Sequence, residues 1–214
     1  MAAKNKKTKN KQKVVIVICT EGDADELVIK RLINYYCSNG WRSPGDLKYH
    51  KVGGFPSESE IRSKLTQIKH IYSGKEIIFR TVMCEYDTDV FENKTCITPD
   101  WGNVEKNLKR DFSVYSFCRI EAKTSIEDWM LDDIEGLLQA LGLPKSTKLK
   151  GRTGQDKVKN LFIKKGVVYD RYKGEANIKP VIEKLDIAKI REARKKELKE
   201  FEKLLGVKNL DEKK

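Results

Sequence analysis

The chain has 214 residues, with 44 Lys or Arg against 32 Asp or Glu, a formal net charge of +12. Its 39% hydrophobic residues suffice for one large domain, or a core domain with an appendage. The sequence offers no apolar run near the length of a membrane span, and its lysine-rich start lacks the apolar stretch of a secretory leader; the expectation is a cytoplasmic protein with no membrane partner.

Residues 1–13 form a polar tail carrying Lys4, Lys6, Lys7, Lys9, Lys11 and Lys13, which cannot bury apolar surface and is expected to be disordered. Without these six charges the balance is still about +6, so the folded part is itself basic. Such an excess points to a polyanion, with phosphate contacts that supply salt-sensitive affinity without selecting sequence.

Val14–Cys19 is continuously apolar, as a strand buried on both faces is. A helix is predicted over Asp23–Ser38, with Leu27, Val28, Leu32, Tyr35 and Tyr36 at helical spacing and Asn39-Gly40 as its stop. Leu47–Val52 is a weaker strand. Ser57 and Glu60 form a capping-box pattern that opens a helix with Ile61, Leu65, Ile68 and Tyr72 inward. Ile77–Cys84 is the next strand, followed by a helix around Asp100–Asp111 and a strand over Val114–Ile120. This alternation predicts an α/β core over residues 14–122, a mainly parallel sheet flanked by helices. Residues 123–214 read as a helical extension packed on it. There, Thr124-Ser-Ile-Glu127 resembles a capping box ahead of an apolar stripe from Ile126 to Leu141, ended by Gly142-Leu-Pro144. A basic loop over Lys145–Gly154 and helices over Gln155–Lys165 and Asp186–Leu205 follow. The last helix either packs on the core or pairs with a second subunit, as a homodimer would. Of the five cysteines, Cys19, Cys84 and Cys118 sit in strand-like stretches, where free thiols behave as small hydrophobes.

Two acidic segments fall at the carboxyl ends of strands, where ligands gather in parallel sheets. Glu21 ends the first buried strand and needs a cation or donor as partner. Gly22 allows a sharp turn, while Asp23, Asp25 and Glu26 also suit the first turn of a helix through its dipole. The second segment is Glu85-x-Asp87-x-Asp89. If the chain stays extended, period-two alternation puts all three carboxylates on one side, where they repel unless a hard cation such as Mg2+ or Mn2+ lies between them.

With these residues in hand, the chain resembles the Toprim fold shared by topoisomerases, bacterial primases and the overcoming-lysogenization-defect nucleases. The match is Glu21-Gly22 after the first strand and Asp87-Thr88-Asp89 after the third, with Asp25 or Glu26 as the second acid of the first motif. It is most similar to the stand-alone RloB-like proteins of bacterial defence loci, through Ser125-Ile-Glu127-Asp-Trp129 and the stretch Gly166–Gly174. One departure is Phe91, where many members carry a third aspartate; Glu85 compensates, or Asp89 lies outside the site. The resemblance implies a Toprim-like fold and Mg2+- or Mn2+-dependent cleavage of DNA or RNA. Glu21, Asp87 and Asp89 would be catalytic, and Glu21, Asp25, Glu26, Glu85, Asp87 and Asp89 are the candidate ligands.

Glu127 is a weaker candidate ligand, since a capping box would explain it. Lys123, Arg152, Lys157 and Lys173 are candidate phosphate contacts. The lack of a GxxxxGK[ST] loop argues against built-in ATP use. An ATPase or another defence protein is a further expected partner. Two other readings stand beside the nuclease. One is a non-catalytic binding or adaptor module. The other is receiver-like chemistry on Asp87, which lacks a clear downstream Thr/Ser and Lys set.

Overall fold

The computed structural model describes residues 12–92, 97–172 and 174–207. Its centre is one all-parallel sheet of four strands, β1 (Lys13–Thr20), β2 (Asp46–Lys51), β3 (Ile77–Asp87) and β4 (Ser116–Ala122), in the order β2-β1-β3-β4. The two central strands are buried on both faces, which is why Val14–Cys19 shows no polar alternation. The architecture is α/β: a parallel sheet flanked by helices, continued by a helical C-terminal region.

On one face lie α2 (Glu58–Ile71) and α4 (Trp101–Phe112). Their Ile61, Leu65, Ile68, Val104 and Leu108 pack on Val15, Val17, Cys19, Phe79, Val82 and Cys84. The other face carries α1 (Asp23–Ser38) and the C-terminal helices. These are α5 (Ile126–Leu131), α6 (Ile134–Ala140), α7 (Gly154–Lys164), α8 (Glu175–Ile182), α9 (Ile187–Ala193) and α10 (Lys195–Leu205). Leu32, Trp129, Phe162, Ile178, Ile190 and Phe201 form one continuous core there with Ile16, Ile18, Met83 and Ile120. The extension therefore shares the core of the sheet. Among the described residues no helix is long and apolar enough to cross a membrane.

A register shift between Val15 and Ile16 inserts Arg80 as an extra residue in β3. Such a bulge reverses which residues face which side. Phe79 faces α2 and α4, whereas beyond the bulge Met83 turns to the α1 side and Val82, Cys84 and Tyr86 to the other. Glu85 and Asp87 follow the parity of Met83.

Several expected elements differ in detail. The Ser57–Glu60 capping box forms as read: the Glu60 amide donates to Ser57 Oγ at 3.3 Å, and the Ser57 amide to the Glu60 carboxylate at 2.9 Å. The stripe from Ile126 to Leu141 is two helices, because Asp133 caps the second by accepting from Gly136 N and also accepts from Asp186 N at 2.8 Å. Asp186–Leu205 is likewise broken at Arg194, whose guanidinium is held by Asp132 at 2.5 Å and by the Asp128 carbonyl at 3.1 Å. β3 runs on to Asp87, and two helices were not anticipated, α3 (Asp89–Glu92) and α8. Cys19, Cys84 and Cys118 are buried in β1, β3 and β4 as expected, and burial raises the Cys118 thiol to about 12. Of the tail read over residues 1–13, Lys13 instead opens β1 and pairs with Asp46 at 2.6 Å, while residues 1–11 lie outside the described residues.

Candidate metal centre

At the carboxyl end of the sheet, β1 hands over to α1 through Glu21 and Gly22. The Asp87 amide donates to Glu21 Oε1 at 3.1 Å, so the two acidic segments converge although 66 residues separate them. Gly22 is extended (φ −144°), and its backbone does not require glycine. The requirement is space, since a Cβ there would lie 2.6 Å from the Arg171 carbonyl. The chain does bend at Glu21-Gly22 as expected, but what demands glycine there is the close approach and not the turn. The Gly22 amide donates to Asp25 Oδ2 at 3.1 Å, which fixes the Asp25 carboxylate over the end of β3.

Oxygens of Asp25, Glu85 and Asp87 all lie within 4.8 Å of one another, and none of the three residues is exposed. Asp87 Oδ1 accepts from the Ile126 amide at 2.8 Å. Both oxygens of Glu85 are buried without a hydrogen-bond partner. Two carboxylates at such a separation repel by about 4 kcal/mol at an effective dielectric of about 20. A buried cluster of this kind has to be protonated or hold a cation.

One cation is already there. Arg171, on the segment between α7 and α8, donates to Asp25 Oδ1 and to Asp87 Oδ2, both at 2.6 Å. It also lies 3.6 Å from Glu21 and 3.9 Å from Glu127. Its carbonyl accepts from Asp23 N at 2.7 Å and Ala24 N at 3.3 Å, closing the first turn of α1. A single guanidinium cannot balance Glu21, Asp25, Glu85, Asp87 and Glu127. Accordingly burial, against the pull of Arg171, lifts Glu21 to about 7 and moves Asp25 upward; it also lifts Asp87 well above the usual range. Burial together with repulsion from Asp25 and Asp87 does the same to Glu85. Burial opposes the charge on Arg171, yet the surrounding carboxylates outweigh it and hold the guanidinium ionised.

The other sequence candidates fall in different places. Asp89 opens α3 instead of continuing the strand, because the Thr88 and Asp89 amides turn to the Ala122 and Thr124 carbonyls at 3.1 and 3.2 Å. It remains close enough for its charge to help raise Glu21, but it is not among the three residues whose oxygens converge. Glu26 points away and pairs with Lys30 at 2.5 Å. Asp23, read as a dipole partner, is buried and pairs with Lys51 while accepting from Glu175 N at 3.1 Å. Glu127 is no cap. The N-cap is Ser125, which leaves Asp128 at the third helical position, and Glu127 is fully buried and accepts from Tyr169 Oη at 2.6 Å. Phe91 packs against Phe55 and Tyr86 at ring distances of 5.3 and 5.7 Å.

Lys123 lines an open groove of about 710 Å3 between β4, α4 and α10 that reaches Thr88, the residue between Asp87 and Asp89. Arg119 and Lys196 share the groove, with Trp101 and Phe117 as aromatic walls and four glutamates among its lining residues. Arg152 is exposed at the start of α7, and Lys157 is half-buried near Asp128. Lys173 lies outside the described residues. Arg171 lies in the Gly166–Gly174 stretch that carries part of the resemblance, but its residue type does not single it out as a member of the site: one arginine among 44 basic residues carries no signal until the fold places it. Tyr169 was missed for the same reason.

No family model, curated protein or solved structure matches this chain.

Proposed function

We propose that this protein is a Mg2+- or Mn2+-dependent phosphodiesterase acting on DNA or RNA, with Asp25, Glu85 and Asp87 as the primary ligands. The single observation that carries the reading is the pair of orphaned Glu85 oxygens, sealed beside two further carboxylates. Carboxylate oxygens alone, with no nitrogen or sulfur donor, suit a hard cation that keeps water and substrate phosphate in its remaining positions. A divalent ion bound there supplies an activated water and neutralises charge on the leaving oxygen.

The roles of the chain's own residues follow from their places. Glu21, with a pKa near 7, is poised to take a proton from an attacking water at neutral pH. Lys123, Arg119 and Lys196 would guide a phosphate along the groove that ends at Thr88. The excess of positive charge, +12 in all, favours a nucleic acid over a small substrate. The Toprim-like order of Glu21-Gly22 and Asp87-x-Asp89 agrees with this chemistry, and a role as a defence effector beside an ATPase belongs to the same reading.

A second reading is favoured by Arg171. An arginine donating to two buried aspartates is also how a purely structural ion-pair cluster is built, and the chain would then bind nucleic acid or a partner protein without cutting. The two are separated by incubating the protein with plasmid DNA, transfer RNA and ribosomal RNA in Mg2+ or Mn2+. Cleavage that disappears in Asp87→Asn and Glu21→Gln supports the enzyme. Salt-sensitive binding without cleavage in any metal supports the adaptor.

A further inference from the structure

The segment that delivers Arg171 also shuts the site. We propose that residues 166–172 form a displaceable strap: a divalent cation entering among Asp25, Glu85 and Asp87 expels the Arg171 guanidinium, and the strap swings off the N-terminus of α1. This rests on the metal reading above and adds a gate to it.

The closure itself is plain. Glu21 is 1% exposed, and Asp25, Glu85, Asp87 and Glu127 are fully buried, so no phosphodiester reaches them in this state. The competition is equally direct, because the guanidinium occupies Asp25 Oδ1 and Asp87 Oδ2, two of the residues whose oxygens converge. Arginine does not lose its proton in a protein, so it cannot make room by becoming neutral. In a site closed to water, a dication and a guanidinium on the same carboxylates repel with little screening. One of them has to leave.

The strap is built to be the one that moves. Its apolar anchors are few, Tyr169 against Phe162 at 5.0 Å and Val167 at the core edge, and its polar attachments centre on Arg171: the two side-chain ion pairs, and the carbonyl that caps Asp23 and Ala24. Tyr172 stacks under the guanidinium at 5.4 Å, and Tyr169 Oη holds Glu127. Its outer surface is bare, with Val168 72% and Tyr172 44% exposed. Once the ion pairs are exchanged for the metal, the apolar burial of Val167 and Tyr169 is what resists opening, and the first amides of α1 are uncovered beside the acids.

The test combines calorimetric titration of Mn2+ into the wild-type chain and Arg171→Gln with amide hydrogen exchange of the wild type, with and without Mn2+. Arg171→Gln is expected to bind Mn2+ about tenfold more tightly or better, since the competing cation is gone. In the wild type, residues 166–172 and the first turn of α1 should exchange about tenfold faster when Mn2+ is bound, while β1 and β3 stay protected. Metal binding with unchanged exchange in the strap, or with equal affinity in the variant, overturns the gate and leaves the metal reading standing. If neither protein binds Mn2+, the metal reading fails and the gate with it. Should Arg171→Gln not fold, the wild-type exchange alone decides the matter: faster exchange over residues 166–172 with Mn2+ supports the gate, and unchanged exchange overturns it.

Discussion

Both carboxylate oxygens of Glu85 lie inside the molecule without a donor, while the guanidinium of Arg171 is spread over four other acids. The cluster therefore stores unfavourable charge, and the pH dependence of stability should show it. Glu21 is raised from 4.5 to about 7, so between these values the native state binds more protons than the unfolded chain. Stability then falls as pH rises through that window, by up to roughly 3 kcal/mol from this group alone. Asp25, Glu85 and Asp87 shift in the same direction. Thermal melts of the metal-free protein are expected to give a higher midpoint at pH 5 than at pH 7, the reverse of acid destabilisation; a midpoint that rises with pH would show that the acids are better compensated than the geometry indicates. Gly22 makes a second residue-scale case. Its missing Cβ is filled by the Arg171 carbonyl, so Gly22→Ala should cost about 1–3 kcal/mol in urea unfolding by pushing the strap outward. An unchanged midpoint would mean that the strap yields freely.

At the scale of elements, the strand ends carried most of what could be read in advance. Val14–Cys19 announces a central parallel strand because nothing polar interrupts it, and its terminal Glu21 then stands at the mouth of the sheet. The Ser57–Glu60 box shows in sequence because both of its partners are local. What stayed hidden depends on distant contacts. Asp89 reads as a third ligand in an extended chain, but the carbonyls of Ala122 and Thr124 on the neighbouring strand end turn it into a helix. The breaks at Asp132-Asp133 and Arg194 depend on each other across 62 residues, and no periodicity predicts them. Glu127 looks like the acid of a capping box opened by Thr124 until Ser125 takes the N-cap and leaves Asp128 in that acid's place. The helical extension is integral to the core: Phe201 of α10 is fully buried, Tyr36 Oη donates to Glu202 at 2.9 Å, and Trp41 Nε1 to the Leu205 carbonyl at 2.9 Å. Phe201→Ala should cost about 3–5 kcal/mol in a single cooperative unfolding transition. A small loss, or a second transition, would show that α10 is a detachable appendage.

For the whole molecule, the proposed function makes the basic excess and the buried acidic centre complementary, one to gather a polyanion and the other to act on it. Nucleic-acid binding should weaken steeply between low and physiological salt, as counterion release requires. The decisive question is whether the acids hold a metal. Electron paramagnetic resonance of Mn2+ answers it, since the six-line spectrum of the free ion is lost on binding. Titrating wild type and Glu85→Gln side by side should show strong depletion of the free-ion signal by the wild type and little by the variant, with both remaining folded by circular dichroism. A wild-type protein that leaves the free-ion signal intact, or a Glu85→Gln variant that depletes it equally, would contradict a metal centre at Asp25, Glu85 and Asp87.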